Sequence, residues 1–444
     1  MTQQNRKKIR WPVPLAVAAV TAGVGLFAWS SLGTSCSPSA HADETSVAGA
    51  AEKVTQAEPV KGEWPQFRGP NRDGISAEKG LLESWPAEGP KEIWRAPVGE
   101  GFSGISISGG RAFTMFNRQE AEWLVAFDAA TGRELWELRI DSPYTNRFGD
   151  GPRSTPTVDG DTVFALGAQG KLFAAEAATG KTIWSRDLVK EFGAGIPTWG
   201  ISTAPLVDGK LLLLDVGGNS GQSLVALDKT NGKKVWASGK DLAGYSAPIV
   251  FDVAGTRQAV FFTGSKLTAV APLNGEVLWS RSWKTDYDIN AAAPIFVPPN
   301  RLFISSGYDV GAALFELVSS KNGWEAVEVW KGRNLKNQFS SSVRVGGQIY
   351  GFDDSTLKAI DLETGEDLWR HRGFGHGSLI YADGSLIILG EKGKLVLAEA
   401  TGEAYREKAS WQAFSGKCWT LPTLVDGRLF LRDEKEMISL RVAS

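Results

Sequence analysis

Cysteine is almost absent from this 444-residue chain, which carries only Cys36 and Cys418. No disulfide framework can hold a fold of this size together, and its stability has to come from packing. Histidine is as scarce: His41, His371 and His376 are the full set. The last two are five apart in the loop 370–377, with no cysteine or carboxylate at metal-ligand spacing, so no zinc pattern is present. HExxH and GxSxG are missing as well. Charge of neither sign dominates, with 48 Lys and Arg against 50 Asp and Glu and a formal net charge of −2. No basic run interrupts the body of the chain, which argues against nucleic acid as a partner. Beyond Gly62 there is no sustained helical periodicity and no long apolar run.

Two short matches to ligand motifs fail on context. Gly99-Glu-Gly101-Phe-Ser-Gly104 fits GxGxxG but runs into Ile105-Ser-Ile107, with no helix to receive a phosphate. Asp286-x-Asp288-x-Asn290 starts like a calcium loop but lacks the glycine at the sixth position and has Val297 where a bidentate Glu is needed. No metal site is expected.

What the chain has in abundance is a repeat. Val125-Ala-Phe-Asp-Ala-Ala-Thr-Gly-Arg-Glu-Leu-Trp136 recurs as Phe173 to Trp184, Val225 to Trp236, Thr268 to Trp279 and Lys358 to Trp369, each with Gly four residues before Trp. Degenerate copies end at Trp330 and Tyr405, and Glu92-Ile-Trp94 is a leading copy without its preceding strand. The units at Trp94, Trp136, Trp184, Trp236, Trp279, Trp330, Trp369 and Tyr405 are spaced by 36 to 52 residues. That is the period of a four-stranded propeller blade. Within a unit, an apolar β-branched run, Thr-Gly or Asn-Gly, and a second apolar run read as two antiparallel strands around a tight turn. The regular tryptophans are expected to be structural, docking each outer strand on the neighbouring blade.

The C-terminus supplies strands at Thr420 to Val425, Arg428 to Arg432 and Met437 to Val442 but no tryptophan strand, which Ile93-Trp94 would complete. The expected fold is therefore all-β: an eight-bladed propeller over 63–444, closed by pairing of N- and C-terminal strands so that no edge is left open.

The first residues have a different composition. Arg6-Lys-Lys-Ile-Arg10 precedes an uncharged apolar run from Val13 to Trp29, and Ser39-Ala-His-Ala42 offers a cleavage site. Residues 1–42 read as an export signal or N-terminal membrane anchor, and 43–62, without aromatics, as a disordered tether. The expected location is outside the cytoplasm, periplasmic or membrane-anchored facing the periplasm, with membrane contact only through the N-terminal segment. Cys418 reads as a small buried hydrophobe.

The pattern Ala-x-Asp-x-x-Thr-Gly-x-x-x-Trp, as at Ala126 to Trp136 and Ala226 to Trp236, resembles the tryptophan-docking repeat of the PQQ-repeat propellers. That superfamily includes the pyrroloquinoline quinone dependent alcohol dehydrogenases and the outer-membrane assembly factor BamB. The resemblance covers roughly the whole chain after Gly62 and is specific for fold, much less so for function. Trp64-Pro-Gln-Phe-Arg-Gly-Pro-Asn-Arg-Asp-Gly74 also looks like the opening signature of an exported, mostly uncharacterised subgroup. It reads as a strap over one face rather than as a site.

For the dehydrogenases the resemblance implies calcium held by acidic and amide side chains, a catalytic aspartate, a tryptophan under the quinone and often a disulfide of adjacent cysteines. This chain has no adjacent cysteines. Its innermost strands offer Ser103, Ser154-Thr155, Ser202-Thr203, Ser246, Ala291, Ser340-Ser341, Gly377 and Thr420, a small and hydroxylic lining. The reading leans away from an enzyme: no catalytic residue is assigned and no cofactor is expected, quinone with calcium belonging only to the dehydrogenase alternative. The residues just before the innermost strands, Arg153, Trp199, Tyr245, Asn290, Gln338, His376 and Trp419, are expected to gather at one mouth of the channel and to bind a ligand or partner. The leading function is a BamB-like, protein-binding platform in the cell envelope whose partner is an envelope protein or complex. The alternatives are a divergent quinone-dependent oxidoreductase and a binder of small molecules or glycans.

Overall fold

A computed structural model describes residues 58–444. The segment read as signal or anchor, with Cys36 and His41, and the tether up to residue 57 lie outside the described residues. The end of that tether is held rather than free: Val60 is buried, the backbone N–H groups of Lys61 and Gly62 donate to Asp426, and Arg428 donates to the Glu58 carbonyl.

The strands form eight sheets, each an antiparallel set of four; seven sets run in chain order, one of them with a short parallel fifth strand, and the eighth joins the two ends of the described chain. In sequence, blades 1 to 7 cover 106–141, 157–187, 206–238, 249–282, 295–332, 343–371 and 378–412. Blade 8 takes its three inner strands from 423–441 and its outer strand, Lys91–Pro97, from the other end of the chain. Lys91 to Pro97 pair with Arg441 to Glu436, so first and last strands close the ring as the repeat count requires. Among the described residues no helix is long and apolar enough to cross a membrane.

The core lies between blades. Phe164, Leu166 and Leu172 of blade 2, for example, pack with Leu212, Leu214 and Val225 of blade 3. The repeated tryptophan locks such pairs. Trp94, Trp136, Trp184, Trp236, Trp330 and Trp369 each donate the indole N–H to a turn carbonyl of the following blade, those of Ala129, Ala177, Lys229, Pro272, Leu362 and Thr401 at 2.7–3.1 Å.

Two blades depart from this scheme. The Trp279 indole donates instead to Gln258 of its own blade at 2.7 Å, because blade 5 extends its outer hairpin over Gly311–Ser320 and Gly323–Gly332 and has no Thr-Gly turn to offer. Trp283 bridges that gap, donating to Ser306 Oγ at 3.1 Å. In blade 7, Tyr405 is not the docking residue. It precedes the outer strand Glu407–Gln412 and stacks on His371 with ring centroids 3.8 Å apart. The register position opposite Leu397 holds Ala409, and the docking ring is Trp411, which lies against Gly89, where a Cβ would come within 2.3 Å of it. The reason is the ring closure: blade 8 has a chain break where other blades have their turn, and the segment leading into Lys91 takes its place.

Candidate binding site at the channel mouth

The short innermost strands surround a central channel, and the loops that enter them converge at one end. A cavity of about 410 Å³ lies there, within the span usual for ligand pockets. Of the residues expected at the mouth, Arg153, Trp199, Tyr245, Gln338, His376 and Trp419 line it. Asn290 does not. It is fully buried, its side-chain N–H groups donate to the carbonyls of Thr263, Gly264 and Trp283, and its Oδ1 accepts from Ser306 Oγ at 2.7 Å. Asn290 ties its loop to the blade because a short amide beside three inward-facing carbonyls satisfies them better than water could.

Thr155, Ser202, Ser340, Ser341 and Ser378 of the expected hydroxyl set do line the cavity, together with a large set of aromatic rings that the innermost strands did not announce. Phe102, Phe148, Trp199, Tyr245, Tyr308, Phe339 and Trp419 form the wall. Trp419 sits 5.1 Å from Phe102 and 5.0 Å from Phe339, and Trp199 5.8 Å from Tyr245, in tilted or edge-on contacts. Much of the hydroxyl set is spent elsewhere. Ser154, Ser202, Ser246 and Ser378 donate to carbonyls of the next blade, those of Thr203, Tyr245, Ala292 and Thr420, at 2.9–3.1 Å, and the Ser341 and Thr155 hydroxyls accept the Ala293 and Gly104 backbone N–H groups. These hydroxyls rivet inner strand to inner strand. Sequence position alone could not separate a side chain that faces the channel from one that bridges the blades around it.

The strap forms the opposite end. Trp64 bridges to Ile107 of blade 1, Pro65 accepts from the Val158 N–H of blade 2, and Arg72 donates to the Ala204 and Pro205 carbonyls beside blade 3. Arg68 donates to the Ser342 carbonyl beside blade 6, and Ile75–Ser76 adds a parallel strand to blade 7. Reaching five blades, the strap crosses the channel, and Trp64, Gln66, Phe67 and Arg68 become the floor of the cavity. The expectation that this segment is a strap and no part of a site therefore needs amending. The Arg72 guanidinium is pushed down to about 9 by burial and then by the charge of Arg68.

At the rim, Phe148 is 40 % and Tyr287 is 75 % exposed. Tyr287, Asp288, Tyr308 and Asp309 all have φ between 56 and 65°, a left-handed backbone that costs non-glycine residues energy and collects at functional surfaces. Glu391 is the one carboxylate in the wall. Its Oε1 accepts the Trp419 indole N–H at 3.0 Å and its Oε2 the His376 backbone N–H at 3.2 Å. His371 is removed from the mouth by its stack on Tyr405.

Calcium and a quinone, which the dehydrogenase side of the resemblance implies, require several acidic or amide oxygens around one point. The wall supplies one carboxylate, already engaged, and among the described residues no three His, Cys, Asp or Glu side chains gather closely enough to hold a metal ion. The residues present do not fit that pair. Among the described residues the one thiol is not reactive: Cys418 is fully buried, which raises its pKa and leaves it a packing residue.

The sequence profile of the family described as outer membrane protein assembly factor BamB matches residues 120–351 and 353–443. A BamB of Nitrosomonas eutropha is 23 % identical over 242 residues, 52 % of this chain and 54 % of that protein. The quinoprotein alcohol dehydrogenase PedH of Pseudomonas putida is 30 % identical over 141 residues, 30 % of this chain and 23 % of that protein. The chain thus spans about half the length or less of these curated relatives. Among solved structures, BamB from Moraxella catarrhalis superposes with a TM-score of 0.58 at 15 % identity, covering 79 % of this chain and 99 % of that one. The quinohemoprotein alcohol dehydrogenase from Comamonas testosteroni gives 0.59 at 12 %, covering 86 % and 81 %. At such identities the superpositions establish a shared propeller fold, which both groups have.

Proposed function

Because the chain belongs to the family of the outer membrane protein assembly factor BamB, we propose that it is an exported, non-catalytic binding propeller of the cell envelope that docks an envelope protein at the mouth of its channel. The observation that carries this reading is the aromatic mouth itself: exposed Phe148 and Tyr287 at the rim, and Trp199, Tyr245 and Tyr308 below them. Large, rigid, amphipathic rings with few rotors are the side chains that dominate protein-binding energetics. The dehydrogenase alternative finds no support in the donor set of the wall. Binding of a small molecule remains a second reading, favoured by the enclosed aromatic cavity.

The test is affinity capture from envelope extract of the source cell with the full chain and with Trp199→Ala/Tyr308→Ala. The proposal expects a partner retained by the wild-type protein and lost from the variant. Equal retention by both would place the docking surface elsewhere.

A further inference from the structure

The wall of the cavity carries two guanidinium groups, Arg68 and Arg153, against the single carboxylate of Glu391. Arg68, 1 % exposed, lies in the floor. Its Nε donates to the Arg72 carbonyl at 3.1 Å and its Nη2 to the Asp73 and Ser342 carbonyls at 2.6 Å, while Nη1 has no acceptor. Arg153, nearer the mouth, donates to the Gly149 carbonyl at 2.6 Å and to that of Gly151, with its guanidinium 4.6 Å from the Tyr144 ring and 5.6 Å from that of Phe102. Among the described residues neither arginine makes a direct ion pair; Asp73 acts on Arg68, and Glu122 and Asp150 on Arg153, only through their charge at longer range. Buried arginines ordinarily face a carboxylate, and five N–H donors on a fixed fork are rarely met by carbonyls alone. Burial lowers both guanidinium pKa values, that of Arg68 to about 10, which still leaves each charged at neutral pH. Glu391 is held by neutral donors, the Trp419 indole N–H and the His376 backbone N–H, and its charge offsets one guanidinium, which leaves the lining with one positive charge in excess. The cavity therefore favours an anion.

Its shape restricts the anion further. The strap closes the lower end, so an extended polypeptide cannot thread the channel, and a cavity of about 410 Å³ suits the single strand of a chain end better than the two strands of a loop. An α-ammonium group would be repelled by the arginines, whereas an α-carboxylate can take the N–H groups that part-buried Arg153 leaves free, with Arg68, sealed in the floor, acting through its charge alone. Building on the reading of the mouth as the docking site, we propose that the cavity receives the C-terminal end of a partner chain. Its carboxylate is drawn to Arg153 and Arg68, and its last apolar or aromatic side chains pack among Phe102, Trp199, Tyr245 and Trp419.

The full chain is titrated with fluorescently labelled short peptides ending in Phe, Trp or Leu, each as the free acid and as the C-terminal amide, with 3-phenylpropanoate as competitor. The proposal expects the acids to bind and the amides to lose about tenfold or more, the worth of a charge-assisted hydrogen bond. Arg153→Gln is expected to bring the acid down to the level of the amide while leaving the amide unchanged. Arg68→Gln should weaken the acid in the same direction but by less if the strap keeps its place, and the part-exposed Arg153 gives the answer if it does not. Acid and amide binding alike, or no peptide binding at all, would overturn the proposal. Competition by 3-phenylpropanoate as tight as the peptide would overturn it too, making the ligand a free acid. If peptides fail but Trp199→Ala/Tyr308→Ala still releases the captured partner, docking at the mouth stands and only the chain end is lost.

Discussion

The indole of Trp184 lies flat against Gly232 of the next blade, so that a Cβ on Gly232 would come within 2.7 Å of the ring, while its Nε1 donates to the Lys229 carbonyl at 3.0 Å. Gly132, Gly180, Gly275 and Gly365 meet Trp94, Trp136, Trp236 and Trp330 in the same way. The glycine of these five turns thus answers two demands, a positive φ and a surface for the neighbouring ring.

Gly232→Ala should destabilise the protein by about 2–4 kcal/mol, since it meets both a left-handed backbone at φ 69° and the Trp184 ring. Trp184→Phe keeps most of the packing and loses one hydrogen bond, for about 1 kcal/mol. Chemical denaturation of the two variants checks the order. A Gly232→Ala protein as stable as wild type would mean the blades can slide apart to admit a methyl group.

Ring closure gives a second expectation. A chain starting after Pro97 loses the outer strand of blade 8 together with the strap, and exposes the edge of Glu436–Arg441, whereas the same chain with residues 58–80 supplied as a separate peptide loses only the closing strand and the segment leading into it. Such an edge is a template for other chains. With the peptide present, the truncated protein is expected to self-associate in size-exclusion chromatography under conditions where the full chain does not. A stable monomer with an unchanged unfolding transition would show that the closing strand contributes little.

Two buried carboxylates set a pH dependence. Burial pushes Glu122 up to about 7, against the opposing hydrogen bond from the Ala168 N–H, and nearby Asp141 adds to the rise. Burial also raises Asp215 to about 8, although it accepts the Gly244 N–H at 2.9 Å. A raised carboxyl pKa means the folded state holds a proton the unfolded chain has released. These groups therefore cost stability as pH rises, from about 4.5 to 7 for Glu122 and from about 4 to 8 for Asp215, by up to about 1.4 kcal/mol per pH unit each. Glu122→Gln/Asp215→Asn should flatten that decline, gaining on wild type from pH 5 to pH 8 in thermal melts. A difference that does not change with pH would contradict the assignment.

The fold was legible because its signal is repetitive: a turn glycine and a tryptophan in fixed relation, five times over with three degenerate copies, leave one architecture that uses them all. Where the repeat decays, sequence misleads. Tyr405 occupies the tryptophan's place along the chain, but Trp411 takes it in space, because the partner surface at Gly89 comes from the other end of the molecule. The mouth was legible by position before each inner strand, which brought six of seven residues to the cavity. Asn290 failed because position does not tell whether a polar side chain faces the channel or its own loop. The floor was missed since nothing local in Trp64 to Arg68 says that it crosses the ring; that depends on carbonyls of Ala204, Pro205 and Ser342 far along the chain.

The most direct test of the mouth as the working surface is site-specific photo-crosslinking in the source cell. A photoreactive residue is placed at Phe148 or Tyr287 on the rim and, as a control, at Leu273, which is 83 % exposed in the turn after the third strand of blade 4, at the opposite end of the blade. The account predicts a discrete adduct with one envelope protein from Phe148 and Tyr287 and none from Leu273. An adduct from Leu273 with neither rim position reacting would contradict it.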